Sequence, residues 1–248
     1  MLDKKEVGFI RSGKEKSDES IGIYREGSLH FFLKNYYCPD KTFHEIRIGK
    51  YIADACDGDT VYEIQTGSLC SLRDKVKYYI ENTNYSILIV HPLAAERRLA
   101  WIDPESGDFA GKPRKSSKHE GVFDMLSEMF FLKEYIDNDR VRFCFPMMTV
   151  TETRILNGWS RDGKKGSQSS DKIPGEIHEV KICESTEDIK KEVCNILPLK
   201  FTREDLLLLS KRQGRKLWAI QNLLIYLGII KKSNSEGRRI VFEKTCGM

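Results

Sequence analysis

Apolar residues recur at helical spacing early in the chain. In EGSLHFFLKNYY (26–37), Leu29, Phe32, Leu33 and Tyr36 fall at i, i+3, i+4 and i+7, and Pro39 stops the run. Alternation then replaces the helical period. Three short strands are predicted, His44–Ile48, Tyr51–Cys56 and Thr60–Thr66, separated by Gly49-Lys50 and Gly58-Asp59. Gly-X pairs suit two-residue hairpin turns. A second helix is expected over 69–82, and a buried strand over Tyr85–Val90, an aliphatic run closed by His91-Pro92. The order is helix, three-strand meander, helix, strand.

Further on, Leu99–Asp103 and Asp108–Lys112 flank PESG and read as a hairpin. Val122, Met125, Leu126, Met129, Phe130 and Leu132 form the apolar stripe of a helix over 120–136. Val141–Ile155 is expected to supply one or two strands. Residues 157–175 are polar and read as a loop, followed by a strand at Glu176–Cys183 and a helix at Glu187–Ile196. Residues 1–20 are charged, have nothing to bury and read as a loosely ordered segment.

The two turns fix a register. If Gly49-Lys50 closes one hairpin, 48 pairs with 51 and 45 faces 54; if Gly58-Asp59 closes the next, 57 pairs with 60 and 54 faces 63. Directly opposed residues share a face. Glu45, Asp54 and Glu63 are therefore expected in one row across three strands, with Gln65 on the same face. Three carboxylates in a row repel one another, and a divalent cation offsets that repulsion. The plainer alternative is that they line the wet face of a half-exposed sheet. Glu26, His30 and Lys34, spaced by four, are expected along one side of the first helix, where they serve either the row or an ordinary solvated face.

These residues resemble the PD-(D/E)xK nuclease superfamily, whose restriction-endonuclease-like core has this same αβββαβ order. Asp54 in YIADACD matches the family's first acid, and Glu63-Ile64-Gln65 in VYEIQTG matches its (D/E)xK strand. Ala53 stands where proline is frequent. Gln65 replaces the usual lysine, as in the ExQ strands of some members, including nuclease domains like those of bacterial competence proteins. Glutamine orients water but brings no positive charge, so Lys75 or Lys77 on the next helix is the candidate source. The resemblance implies Mg²⁺ or Mn²⁺ held by Asp54, Glu63, the carbonyl of Ile64 and Glu45, with Gln65 positioning water and Glu26 as a further ligand.

The tail resembles a winged helix. Thr202 caps a helix with Glu204 and Asp205 in its first turn. SKRQG makes the turn, Arg215–Leu227 forms a second helix, and Ile229–Lys232 and Arg239–Glu243 are strands around the tip SNSEGR. This resemblance places Arg215, Lys216 and Gln221 (with Asn222) toward the major groove, and Lys231, Lys232, Arg238 and Arg239 against phosphates.

Charge changes the picture in the same direction. The chain of 248 residues carries a net +4. From Leu197 onward eleven Lys/Arg face four acids, giving +7 and leaving −3 on the first 196 residues. A basic tail on a mildly acidic body suits a polyanion, here DNA. The loop charges at Arg114, Lys115, Lys118, Lys164 and Lys165 read as solvated. Seven scattered cysteines at no metal spacing fit reduced thiols in a cytoplasm, and no apolar run reaches membrane length. No phosphate-binding glycine loop appears.

The sequence thus predicts an α/β protein with a nuclease-like domain over 21–185 and a winged-helix domain over 186–248. The expected activity is metal-dependent hydrolysis of DNA. A homodimer is compatible with cutting two strands. A non-catalytic DNA-binding regulator built on a decayed nuclease scaffold is the rival, and RNA in place of DNA is a third reading.

Overall fold

The computed structural model describes residues 27–156, 166–233 and 239–245. Helix α1 (Ser28–Tyr37) is followed by strands β1 (His44–Ile48), β2 (Tyr51–Cys56) and β3 (Thr60–Ile64), helix α2 (Arg73–Asn82) and strand β4 (Ser86–Val90). Then come β5 (Leu93–Ile102), β6 (Arg114–Lys115), α3 (Val122–Met129), β7 (Val141–Ile155) and β8 (Gln168–Cys183). The C-terminal part contains α4 (Thr186–Val193), β9 (Lys200–Thr202), α5 (Arg203–Ser210), α6 (Gly214–Tyr226), β10 (Ile230–Lys232) and β11 (Val241–Lys244). The protein is of the α/β class.

Both glycine turns form. Gly49 and Gly58 have φ of +59° and +103°, a backbone conformation that costs glycine little. Ile48 pairs with Tyr51, Ala55 with Tyr62 and Cys56 with Val61, the register that the turns predict. Strands β3, β4 and β7 then run parallel, and β7 pairs in parallel with β5 beyond the end of β4. Strand β8 runs antiparallel along β7 from Phe143 to Ile155.

Helices cover the large sheet on both sides. Leu29 and Leu33 of α1 pack with Ile64, Val90, Cys144 and Met148. Val76 and Tyr79 of α2, Met125 and Met129 of α3 and Leu217 and Ile220 of α6 share another cluster with Val61, Ile87 and Ile89. Fully burying a side chain such as Leu33 contributes about 2 kcal/mol. The C-terminal elements therefore share a core with the body. Their own sheet has the order β10-β11-β9.

Several expectations need correcting. The polar stretch expected to be a loop through 175 is strand from Gln168 onward, because hydrogen bonding to β7 satisfies a backbone that has little to bury. Residues 157–165, with Lys164 and Lys165, lie outside the described residues. Val141–Ile155 is one strand. The second helix begins with a 3-10 turn at Leu69–Leu72, and a 3-10 segment Phe130–Tyr135 follows α3. Arg114 and Lys115 are not loop charges: Lys115 pairs with Glu96 at 2.8 Å and Arg114 lies over the Trp101 ring. Cysteines 38, 56, 70, 144 and 183 are free thiols, whereas Cys194 is disulfide-bonded. The last strand runs past the end of α4, where Lys244 Nζ bonds the Cys194 carbonyl.

Candidate active site

The β2–β3 ladder ends at Ala55–Tyr62, and beyond it the strands part. There the side chain of Asp54 takes over from the backbone: its Oδ2 accepts the Ile64 N–H at 2.7 Å. His30, on α1, brings Nε2 to 3.3 Å from the same oxygen. Among the described residues nothing bonds Oδ1. Burial works against the Asp54 charge, but His30, the Ile64 N–H and Lys75 outweigh it and hold its pKa below the usual range.

Glu63, one residue beyond the last position at which β3 pairs with β2, is 1% exposed. Lys75 Nζ donates to its Oε2 at 2.6 Å, and Tyr79 Oη donates to Oε1 at 3.1 Å. Both donors come from α2, one helical turn apart, so a single helix face holds both oxygens. Burial raises the Glu63 pKa, Lys75 opposes the rise and the Asp54 charge adds to it, for a value of about 7. Asp54 and Glu63 thus sense each other and share Lys75.

The expected row does not form as one: neither 45–54 nor 54–63 is a paired position, and Glu45 and Asp54 are held from α1 whereas Glu63 is held from α2. Glu45 has a φ of +52°, and its carboxylate is held by Lys34 Nζ at 2.6 Å. Lys34 is a buried cation on α1, one turn past His30. His30 and Lys34 therefore share one side of α1, as their spacing predicts, and that side meets Asp54 and Glu45. Glu26 lies outside the described residues.

Gln65 departs from its expected role. It sits just past β3, its Nε2 donates to Ser71 Oγ, and its Oε1 accepts from the Gly67 N–H at 2.9 Å. Its amide closes the loop into α2, because the strand ends at Ile64 before a residue at 65 can face the acids. Of the two lysines considered, Lys77 is exposed beside Glu81, whereas Lys75 points into the site.

For a hard divalent cation the local chemistry is suitable: two carboxylates and the nearby Ile64 carbonyl are all oxygen donors. Among the described residues no three His, Cys, Asp or Glu side chains converge as a ready-made cage. The set fits an ion that retains much of its own water.

The tail residues fall into two groups. Contrary to expectation, the start of α6 faces the body. Arg215 lies over the Phe131 ring, Lys216 Nζ is 3.0 Å from Asp124 Oδ1, and the exposed Trp218 meets Phe130 edge-on. Arg212, just before the helix, grips Asp124 with two nitrogens and also bonds the His119 carbonyl at 2.7 Å. A helix amphipathic in isolation is here docked on α3, which sequence periodicity does not reveal. Gln221 accepts from Arg203 at 3.4 Å and Asn222 bonds the Trp218 carbonyl. Lys231, Lys232 and Arg239 are exposed, Lys231 lying 3.3 Å from Glu243. Arg238 is outside the described residues.

Sequence reasoning missed Tyr79, His91 and Asp124. Tyr79 at four residues from Lys75 was the available signal; the other two owe their importance to distant chain segments.

Fold and site define an α/β protein with a buried, lysine-paired carboxylate at the splayed end of a β-meander. Residues 27–184 match the family described as "Domain of unknown function (DUF8091)", and the chain belongs to that family. It is also similar to an uncharacterized protein of Treponema pallidum (strain Nichols), with 25% identity over 123 residues, 49% of this chain and 47% of the relative. The aligned region thus spans about half the length of that curated relative. No solved structure matches the chain. Among the described residues no helix is long and apolar enough to cross a membrane.

Proposed function

We propose that the protein is a divalent-metal-dependent nuclease of the PD-(D/E)xK type that hydrolyses phosphodiester bonds in DNA. The observation that carries this reading is the position of Lys75. The helix–meander–helix–strand order from α1 to β4 frames Asp54 and Glu63 on adjacent strands, and the lysine absent at 65 is supplied from α2. An ammonium beside two carboxylates is the feature that a merely wet sheet face does not need.

Asp54, Glu63 and the Ile64 carbonyl would hold Mg²⁺ or Mn²⁺, which when bound polarises the phosphodiester and supplies hydroxide near neutral pH. Asp54, kept ionised, anchors the site. Lys75 offers positive charge where negative charge develops on the phosphoryl group. Glu63, titrating near 7, can hold or release a proton at working pH. His30 fixes the Asp54 carboxylate from the α1 side.

The elements β9-α5-α6-β10-β11, with β11 central in their sheet, support the winged-helix reading of the tail. Since the start of α6 is docked on α3, the wing strands, with Lys231, Lys232 and Arg239, are the better candidates for phosphate contact.

One observation favours the rival reading, a DNA-binding scaffold without catalysis: Asp54, Glu45 and Glu63 each already have an internal partner. Incubation of single-stranded, duplex and branched DNA, and of RNA, with Mg²⁺ or Mn²⁺ decides between them. Metal-dependent cleavage that disappears in Asp54→Ala supports the nuclease. Absence of cleavage on every substrate, with no metal-induced rise in Tm, overturns it and leaves the scaffold.

A further inference from the structure

A cavity of about 180 Å³ lies beside the carboxylate site, at the carboxyl ends of β3 and β4. Ligands of open α/β sheets collect at such strand ends. The two places adjoin along the chain: Leu29 and Thr66 of the cavity lining are the sequence neighbours of His30 and Gln65. Leu29, Pro92 and Val150 give the cavity apolar sides. A cavity of ~150 Å³ accommodates benzene, so this one has room for one planar heterocycle.

Three polar groups on its lining are left with capacity to spare. His91 is 7% exposed, and its Nδ1 lies 2.7 Å from the Gln65 carbonyl. A carbonyl only accepts, so Nδ1 carries the proton. Burial lowers the His91 pKa against the opposing charges of Glu128 and Glu120, and with Nδ1 donating, Nε2 of the neutral ring is an acceptor. Nothing among the described residues bonds Nε2. No buried side-chain nitrogen or oxygen among them lacks a partner, so Nε2 is open to the cavity. Glu128 uses Oε2 to accept the Leu69 N–H at 3.0 Å, and no described cation pairs with its carboxylate. Lys172 donates one N–H to the Thr66 carbonyl at 3.1 Å, and no described carboxylate pairs with it. The other charged groups on the lining are committed: Arg97 to Glu120, and Lys216 to Asp124.

Group by group, the unspent set is two acceptors, the Glu128 carboxylate and His91 Nε2, and one donor, the Lys172 ammonium. Its complement is an edge with two donors and one acceptor. Among the nucleobases only guanine has that Watson–Crick edge: N1–H and the 2-amino group donate, and O6 accepts. Adenine offers one of each kind there; cytosine and the uracil or thymine ring offer one donor and two acceptors.

We propose that this cavity is a guanine-binding site, with Glu128 and His91 accepting from N1–H and the 2-amino group and Lys172 donating to O6. Bases taken out of a stack are read in this way, by their Watson–Crick edge and between apolar walls. That the site holds a guanine next to the cleaved phosphodiester rests on the nuclease reading; the binding itself does not.

The test is binding of GMP, AMP, CMP and UMP to the full chain in EDTA, by calorimetry and by shift in Tm. GMP is expected to bind saturably and at least about tenfold more tightly than the other three, the discrimination typical of one good base contact. Glu128→Gln keeps an acceptor for Leu69 and is expected to weaken GMP by about tenfold with the ligand-free Tm unchanged. Lys172→Met, on a different element, should do the same. Equal binding of all four nucleotides, no saturable GMP binding, or unchanged affinity in both variants overturns the proposal. GMP binding retained in Asp54→Ala without cleavage of any DNA refutes the nuclease but not the cavity. Cleavage indifferent to guanine, with no GMP binding, does the reverse.

Discussion

The ammonium of Lys75 lies 2.6 Å from Oε2 of Glu63, a carboxylate that is otherwise sealed from solvent. Removing one partner of such a pair leaves the other buried and uncompensated, which is costly unless the remaining group neutralises. Glu63 can do so, since a carboxyl with a pKa of about 7 takes up a proton readily. Lys75→Met is therefore expected to fold, with Glu63 protonated, and to lose DNA cleavage by roughly 100-fold, the typical effect of deleting one transition-state donor. Lys75→Arg should retain part of the rate. Circular dichroism and initial cleavage rates check both; full activity in Lys75→Met removes the lysine from the site.

The same pair makes stability depend on pH. Glu63 has a folded pKa of about 7 against 4.5 in the unfolded chain, so the native state binds the proton more tightly. Its contribution is fully present below 4.5 and is lost as pH rises through 7. Metal-free protein should therefore show a Tm that falls between pH 5 and pH 8 relative to Glu63→Gln, which carries no titrating group there. Parallel Tm curves for the two proteins would contradict the buried carboxyl. Added Mg²⁺ should restore Tm mainly at the alkaline end, where Glu63 is ionised.

Much of this arrangement was legible from local patterns. Gly49 and Gly58 fix two-residue turns, and with them a register that only alternation could otherwise specify. Spacing by four on α1 likewise puts His30 and Lys34 on one side, and Asp54 and Glu45 lie there. What was not legible depends on contacts distant in sequence. Nothing local to Lys75 distinguishes it from the solvated Lys77; the difference is which side of α2 meets β3. Strand β8 reads as a polar loop because half of it is exposed and its stability comes from β7. The start of α6 reads as a free basic face because the acid that neutralises it, Asp124, is 88 residues from Arg212.

Asp124 is nearly sealed and faces two cations, Arg212 and Lys216. Burial raises its pKa, but these partners prevail and hold it below the usual carboxylate range. Asp124→Ala would leave Arg212 partly buried without the carboxylate it pairs with, for an expected loss of about 3 kcal/mol. The pH sense is opposite to that of Glu63. A depressed carboxylate contributes above its unfolded pKa and loses that contribution as pH falls through the folded one. The wild-type advantage over Asp124→Asn should thus be full at neutrality and shrink below about pH 4. Urea denaturation of both proteins at pH 7 and pH 3 measures it.

The docking of α6 also separates two ways of holding DNA. If the start of that helix entered the major groove, Arg215 and Lys216 would have to leave Phe131 and Asp124 first. Lys231, Lys232 and Arg239 need no such rearrangement, being exposed already. Each phosphate contact releases counterions and adds about 0.9 to the slope of log K against log salt. The triple change Lys231→Ala, Lys232→Ala and Arg239→Ala is expected to reduce the magnitude of that slope by about 2 to 3. Arg215→Ala should leave it nearly unchanged. Fluorescence anisotropy with a short duplex between 50 and 200 mM salt reads both slopes. A larger loss from Arg215→Ala than from the triple variant would show that the helix leaves α3 to bind DNA, because only an undocked α6 brings that guanidinium to a phosphate.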